Sequence, residues 1–204
     1  GQLGDGTTVN KLTPTPVPDL FGVEEIVAAN TFTCARLAGG SVRCWGQNNS
    51  GQVGDGTTTN RLTPTTVTDL AGVEGLAVGS SNNHMCARLA GGSVRCWGQN
   101  FYGQLGDGTT TTRLTPTAVP DLSDVEELAA GGSHTCARVA GGSVRCWGRN
   151  LYGQLGDETT VDKLTPTAVS FLSGVTRLVA GNFHTCVRVT DGAVRCWGHN
   201  FFGQ

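Results

Sequence analysis

The sequence has few charged and aromatic residues and lacks a long apolar run. Charged residues make up 15% and aromatic residues 6% of its 204 residues. No segment approaches the roughly 18 consecutive apolar residues of a membrane-spanning helix, so we expect no membrane span. The 14 Lys and Arg face 16 Asp and Glu, a net charge of −2. Because no basic excess is present to neutralise phosphates, a nucleic-acid partner is not expected.

Motifs for catalysis are also missing. The sequence has no Gly-x-Ser-x-Gly elbow, no phosphate-binding loop and no His-Glu-x-x-His. Its acidic residues recur at equivalent positions along the chain rather than in one irregular polar cluster. We therefore expect a protein that is not an enzyme and needs no cofactor and no metal.

What is abundant is glycine, with 31 residues, and it marks an internal repeat. The segment Gly1–Thr8 returns at Gly51, at Gly103 and, with Glu158 in place of a glycine, at Gly153. A fixed period of about 50 residues is typical of repeat architectures. The sequence predicts one repeat domain over residues 1–204, with repeats at about 1–50, 51–102, 103–152 and 153–204, out of register with the blade boundaries.

Each repeat reads as four short strands separated by turn residues. In the first repeat the predicted strands are Thr15–Val17, Val23–Ala28, Thr33–Leu37 and Val42–Trp45. No segment keeps a 3.6-residue periodicity over three turns, and four strands per repeat of this length are typical of a propeller blade. The predicted fold class is all-β, with four β-propeller blades that form a partial or assembled propeller.

The cysteines form four pairs, each ten residues apart. A three-residue hairpin loop over residues 38–40 places Cys34 opposite Cys44, and such loops favour a type I turn with a left-handed glycine at the third position, here Gly40. We expect four cross-strand disulfides and hence an oxidising, extracytoplasmic location, either secreted or on the cell surface. The eight residues are Cys34, Cys44, Cys86, Cys96, Cys136, Cys146, Cys186 and Cys196.

A zinc site is the alternative for these cysteines. His84, His134 and His184 lie two residues before a cysteine, so each His with its Cys pair supplies three of four zinc ligands. The first repeat has Phe32 at the histidine position but keeps both cysteines. This incomplete ligand set favours disulfides.

The long spaced motif Cys-x-Arg-x-x-x-Gly-x-Val-Arg-Cys-Trp-Gly-x-Asn-x-x-Gly-Gln-Leu-Gly-Asp-Gly-Thr-Thr resembles the regulator of chromosome condensation repeat. The likeness covers the whole chain and is carried by Trp-Gly-x-Asn at Trp45, Trp97, Trp147 and Trp197. The resemblance implies a β-propeller, and the cysteine pairs are similar to those of bacterial extracytoplasmic members. Family members include a nuclear nucleotide exchange factor, a photoreceptor and secreted enzyme inhibitors, so the resemblance implies no single activity.

The residues that differ between repeats are the candidates for binding a partner. They lie around the loop between Trp-Gly-x-Asn and Gly-Gln, where exposed aromatic residues can anchor a protein or stack on sugar rings. The competing interpretation, which the usual core role of apolar loop residues favours, is that these residues pack between blades. The candidates are Gln47, Asn49, Gln99, Phe101, Tyr102, Arg149, Leu151, Tyr152, His199, Phe201 and Phe202.

Two other recurring groups have structural interpretations that we favour over ligand binding. The histidines can line an axial channel, but such residues more often form hydrogen bonds to the backbone of a glycine-rich turn. Asp5, Asp55, Asp107 and Asp157 can contribute to a calcium site, but one carboxylate per loop is too few for six to eight oxygen ligands.

The sequence thus predicts a non-catalytic extracytoplasmic scaffold or binding module for protein or glycan partners. One alternative is a structural subunit that assembles with copies of itself into an oligomer, a surface fibre or a layer, because unpaired blade faces and strand edges promote association. A weaker alternative is a non-catalytic or metal-binding domain of a larger secreted enzyme.

Overall fold

The computed structural model describes residues 1–79, 81 and 84–204, and these residues form an all-β protein. No helix that could cross a membrane occurs among them. The strands are β1 (Val23–Ala28), β2 (Phe32–Leu37), β3 (Val42–Gly46), β4 (Arg61–Thr66), β5 (Val73–Val78), β6 (His84–Leu89), β7 (Val94–Gly98), β8 (Arg113–Ala118), β9 (Val125–Ala130), β10 (His134–Val139), β11 (Ser143–Gly148), β12 (Lys163–Ala168), β13 (Val175–Ala180), β14 (His184–Val189) and β15 (Val194–Gly198).

The strands form four antiparallel sheets in simple sequential order. Blade 1 contains β1–β4, blade 2 contains β5–β8, blade 3 contains β9–β12, and blade 4 contains β13–β15. The first strands β1, β5, β9 and β13 contact one another in turn, so neighbouring blades meet along these strands. This arrangement confirms the predicted fold class of propeller blades.

The predicted strand Thr15–Val17 was wrong. Its counterparts in later repeats are the fourth strands β4, β8 and β12, which pair with the third strand of the preceding repeat. Among the described residues no third strand lies beside residues 11–16. Without a neighbouring strand to form backbone hydrogen bonds with, this extended segment is not a β-strand. The proline in each of these fourth strands is tolerated because they lie at a sheet edge.

The hairpin between the second and third strands has the register that the cysteine spacing predicts. Cys34 is directly opposite Cys44, and the amide of Gly40 donates to the carbonyl of Leu37 at 2.9 Å. The third loop residue is left-handed as expected, with φ 76° at Gly40. The turn type differs from the expected type I, because Gly39 also has a positive φ of 84°, which defines a type II turn.

The other hairpins follow the same rule. Gly91 and Gly141 have φ values of 80° and 83°, so these turns are also type II. In blade 4 the equivalent residue is Asp191, whose φ is not positive, and only Gly192 is left-handed there, with φ 86°. The substitution of Asp for Gly therefore accompanies a change of turn type, since a left-handed conformation is costly for a residue with a side chain.

The core lies between adjacent blades rather than within one. Phe32, Val42 and the Cys34–Cys44 disulfide of blade 1 are buried in one cluster with Leu76 and Met85 of blade 2. All four expected disulfides are present, joining Cys34 to Cys44, Cys86 to Cys96, Cys136 to Cys146 and Cys186 to Cys196. The first three are fully buried at blade interfaces. They therefore cross-link each hairpin where the next blade packs on it.

Candidate interaction face

A buried asparagine organises each loop that leaves a third strand. The Nδ2 of Asn100 donates to Asp107 Oδ1 at 3.2 Å and to the carbonyls of Thr109 and Thr111 at 3.0 and 3.1 Å. Its Oδ1 accepts the amide of Leu105 at 3.0 Å. The side chain is fully buried. Asn48 and Asn150 make the same contacts one repeat away, so the Asn of Trp-Gly-x-Asn holds the whole loop in one conformation.

The glutamine of Gly-Gln-Leu fixes the variable pair that precedes it. Gln104 Oε1 accepts the amide of Tyr102 at 3.0 Å, and Gln154 Oε1 accepts the amide of Tyr152 at 2.9 Å. Both glutamine side chains are buried. The backbone of the variable pair is therefore rigid, and its side chains project from a fixed position.

Five side chains from different repeats lie in a continuous row, which we call the aromatic row: Tyr102, Arg149, Tyr152, Phe183 and His199. The guanidinium carbon of Arg149 lies 4.7 Å from the ring centre of Tyr102 and 5.9 Å from that of Phe183. The Tyr152 ring lies edge-on to Phe183 and to His199, with centroid distances of 5.5 and 4.6 Å. Three consecutive repeats thus build one surface of rings around a cation.

The two phenylalanines near residue 204 extend this row. Phe201 stacks on His199 at 6.2 Å and contacts Phe202 edge-on at 5.0 Å. Their side chains are 79% and 84% exposed. The edge of the row is therefore open to solvent.

The remaining predicted binding residues lie on equivalent loops. Phe101 and Leu151 are 65% and 52% exposed, so these apolar side chains do not pack between blades as the competing interpretation required. Asn49 is exposed, and Gln47 and Gln99 are half-buried. The ring contacts bring together Tyr102, Arg149, Tyr152, His199, Phe201 and Phe202 of the predicted residues, and none of these contacts involves Gln47, Asn49, Gln99, Phe101 or Leu151.

Sequence reasoning missed Phe183. It precedes His184 in the turn before β14, where the other repeats carry Thr31, Asn83 and Ser133. An aromatic residue at a position that is otherwise small and polar was the available signal. Its partners Arg149 and Tyr152 are more than 30 residues away in sequence, so only the structure places it in the row.

The histidines form hydrogen bonds between blades. His84 Nε2 lies 3.0 Å from Thr135 Oγ1, and that hydroxyl donates to the carbonyl of Gln104 at 2.9 Å. Because the hydroxyl proton is already used, the histidine must be the donor, which fixes the Nε2–H tautomer. His134 makes the same contact with Thr185 of blade 4. The partner is thus a side chain of the next blade rather than the backbone of a turn.

Burial keeps these histidines neutral. It lowers the pKa of His84 from 6.5 to about 4. Burial, with a smaller contribution from His84 and His184, lowers the pKa of His134 to about 3. The zinc interpretation was wrong, because all eight cysteines are in disulfides and therefore supply no thiolate.

The recurring aspartates are structural acceptors. Asp107 accepts from the amide and hydroxyl of Thr109 and forms an ion pair with Arg113 at 2.7 Å. Burial alone would raise the pKa of Asp107, but the hydrogen bonds from Thr109 and Arg113 outweigh burial and lower it. The described residues contain no group of three or more His, Cys, Asp or Glu arranged to hold a metal ion.

The aromatic row lies on a fold with known relatives. A sequence profile of the regulator of chromosome condensation (RCC1) repeat matches residues 39–88, 91–138 and 141–188. A second profile of this repeat matches residues 23–52, 76–104, 125–154 and 175–204. Together the matches cover most of the chain.

Individual relatives agree with these profiles. The ultraviolet-B receptor UVR8 of Arabidopsis thaliana is 32% identical over 121 residues, which cover 58% of this chain and 28% of the receptor. Human WBSCR16 superposes with a TM-score of 0.82 at 23% identity, covering 99% of this chain and 56% of that one. Yeast RCC1 (Prp20), in its complex with Kap60, gives a TM-score of 0.76 at 20% identity over 86% of this chain and 43% of that one.

The chain spans between about a quarter and just over half of the length of these relatives. The two structural likenesses share the fold at low identity, and the repeat profiles cover well over half of the sequence. With its repeated Trp-Gly-x-Asn loops and blades of sequential antiparallel strands, this chain belongs to the regulator of chromosome condensation (RCC1) repeat family.

Proposed function

We propose that this protein is a non-catalytic, extracytoplasmic propeller scaffold that binds another protein through its aromatic row. The observation that carries the proposal is the contact chain from Tyr102 through Arg149 and Phe183 to Tyr152 and His199. Tyrosine and arginine are among the residues that contribute most to binding energy at protein interfaces. Aromatic side chains also supply a large contact area at a small entropic cost.

The loop architecture supports this function. The buried Asn and Gln side chains hold the variable pairs rigidly, so little conformational entropy is lost when a partner binds. Yeast RCC1, which shares the fold, has been crystallised bound to Kap60. Propellers of this family are generally binding or regulatory modules, and this chain provides a suitable contact surface.

The disulfides support the proposed location. Four cross-strand disulfides, three of them buried between blades, are typical of proteins that fold in an oxidising compartment. A secreted or surface-attached binding module satisfies this requirement.

Replacing Arg149 and Tyr152 with alanine is expected to weaken partner binding at least tenfold, because each side chain contacts Phe183 in the centre of the row. The matched control is Gln47→Ala, at the position in blade 1 that corresponds to Arg149. Proteins captured by the wild type and by the control would be purified and titrated by calorimetry against the wild type, the control and the double variant. Equal affinity for the double variant would contradict the proposal.

A glycan partner is distinguished in the same series. The wild type would be tested for binding to an immobilised glycan array, because sugars stack on exposed aromatic rings. Binding that Tyr152→Ala loses and Gln47→Ala retains would identify a carbohydrate, rather than a protein, as the ligand of the aromatic row.

Self-assembly is a second candidate function, favoured by the surface of blade 4. An open cleft of about 420 Å³ is lined by His184, Trp197 and His199, among others. In blades 2 and 3 the equivalent histidine donates to a threonine of the following blade. A further blade that carries such a threonine can pack on this cleft in the way that blade 3 packs on blade 2. That blade can belong to the same polypeptide or to another copy of it.

Light scattering behind a sizing column, in non-reducing buffer, tests self-assembly. A mass that rises with concentration, and falls for His184→Ala, is expected for this second function. A constant mass near 21.1 kDa at all concentrations would rule it out for this chain.

A further inference from the structure

A glutamate near the start of the first strand connects neighbouring blades. Glu25 in β1 accepts Nε of Arg36 at 3.2 Å on one carboxylate oxygen and the amide of Leu76 of blade 2 at 3.3 Å on the other. A single carboxylate therefore joins a guanidinium of its own blade to a backbone amide of the next.

The same bridge occurs between blades 3 and 4. Glu127 accepts Nε of Arg138 at 3.3 Å and the amide of Leu178 of blade 4 at 3.0 Å. Arg177 also forms an ion pair with Glu127 at 2.8 Å. Two of the three described blade interfaces thus contain a carboxylate in this position.

The interface between blades 2 and 3 lacks it, because Gly75 occupies the equivalent position in β5. Arg88 pairs with Gly75 across the strands, as Arg36 pairs with Glu25 and Arg138 with Glu127. A Cβ built on Gly75 would lie 3.7 Å from Arg88 Nε, which is ordinary van der Waals contact. The φ of Gly75 is not in the left-handed region, so the backbone does not require glycine here.

An open cavity of about 220 Å³ lies at this position. Its lining includes Gly75, Arg88 and the Leu128 residue of blade 3 that corresponds to Leu76 and Leu178. The space is larger than a glutamate side chain needs. Arg88 and Leu128 therefore line a cavity at the position where the other two interfaces hold a carboxylate.

Arg88 has one carboxylate partner, whereas the equivalent Arg36 and Arg138 each have two. Arg88 forms an ion pair with Glu74, and Arg177 with Glu127. The other carboxylates that line the cavity have cations of their own: Glu25 pairs with Arg36, and Glu126 pairs with Arg138. Blade 2 has one acidic residue fewer than blades 1 and 3 at this strand, so an added carboxylate restores the charge found there.

We propose that the cavity beside Gly75 is a binding site for a carboxylate on a short aliphatic chain, held by Arg88 Nε and the Leu128 amide. The ligand replaces the glutamate side chain that β1 and β9 carry at this position. Charge-assisted hydrogen bonds of this type are stronger than neutral ones and favour a planar carboxylate. Both a free small carboxylic acid and a glutamate side chain of a bound peptide present this group.

Propionate tests the site, because it has the chemical structure of a glutamate side chain cut at Cβ. In ¹⁵N NMR spectra, the Leu128 amide and the Arg88 Nε–H signals are expected to shift saturably, with a dissociation constant on the order of 1–30 mM for so small a ligand. Sodium chloride at equal ionic strength is the control for unspecific screening.

Gly75→Glu is the matched variant. Its own carboxylate is expected to fill the cavity, abolish the response to propionate and raise the unfolding midpoint by about 2–4 °C. Gly75→Gln has the same shape without the charge and is expected to give a smaller rise. An absent response in the wild type, or an equal response in Gly75→Glu, would overturn the proposal.

A blocked tripeptide Gly-Glu-Gly distinguishes the two sources of the carboxylate. Tighter binding of the tripeptide than of propionate assigns the site to a glutamate of a protein partner. Weaker binding of the tripeptide, with propionate still saturating, assigns it to a free small acid.

Discussion

Lowering the pH from 7 to 4 is expected to destabilise this protein by several kcal/mol through its two buried histidines. His84 and His134 are fully buried, and burial lowers their pKa values from 6.5 to about 4 and about 3. The unfolded chain, with ordinary histidines, therefore binds more protons than the folded protein. The contribution of the two histidines to the free energy of unfolding is fully present above pH 6.5 and is lost as the pH falls towards their folded-state pKa values. One pKa unit corresponds to about 1.4 kcal/mol, so each histidine contributes on the order of 3 kcal/mol.

The aspartates do not obscure this effect. The pKa values of Asp55, Asp107 and Asp157 are lowered from 3.8, because hydrogen bonds from threonine and from a cation outweigh the effect of burial. Their contribution to stability is present above pH 3.8 and is lost only below it. The interval from pH 6.5 to 4 therefore reports mainly on the histidines.

The chain itself supplies the control for the acid effect. At the interface of blades 1 and 2, Phe32 and Met85 replace the His–Thr pair, and both are fully buried. The double variant His134→Phe/Thr185→Met copies this pair to the last interface and is expected to lose about half of the acid sensitivity. Denaturant unfolding followed by tryptophan fluorescence, in non-reducing buffer at several pH values, measures it. Equal pH dependence in the variant and the wild type would contradict the assignment.

Trp147→Ala is expected to cost about 3–5 kcal/mol of unfolding free energy, as large buried aromatic residues do when truncated. Trp147 is fully buried, and its Nε1 donates to the carbonyl of Gln104 at 2.9 Å. That carbonyl also accepts the Thr135 hydroxyl at the end of the hydrogen bonds from His84. The substitution therefore creates a cavity and removes one of two donors from a buried acceptor.

Trp197→Ala is the matched comparison for this tryptophan. Trp197 occupies the same position in blade 4 and donates to the carbonyl of Gln154 at 2.9 Å, but its side chain is only partly buried. Its removal is expected to cost much less, about 1–2 kcal/mol, because the Trp197 side chain buries less apolar area on folding than the Trp147 side chain does. Equal losses for the two variants, from denaturant unfolding, would show that the indole hydrogen bond rather than burial between blades determines the cost.

The blade and its hairpin were predictable because their determinants are local. A glycine at the third loop position and two cysteines ten residues apart specify one antiparallel register, and Cys34 lies opposite Cys44 as expected. The turn type was not predictable from the cysteine spacing and this glycine. A type I and a type II turn give the same three-residue loop and differ in the orientation of the peptide unit between their two central residues, which shows here in the sign of φ at Gly39 and Asp191.

The position of the fourth strand depended on its neighbour. Residues Arg61–Thr66 and residues 11–16 share the sequence pattern Leu-Thr-Pro-Thr, yet only the first forms a strand. An edge strand exists through its ladder to β3, so its sequence alone could not distinguish the two.

By itself, the sequence determined the all-β class, the repeat period, the hairpin register and the cysteine pairing, since each follows from residues within one repeat. Only the tertiary structure decided which repeats meet. It joins His84 to Thr135 across 51 residues, brings Phe183 to Arg149 and Tyr152, and aligns Gly75 with the blade that follows it. These contacts depend on how each blade is rotated against the next, and that rotation is set by packing between sheets rather than by any local pattern.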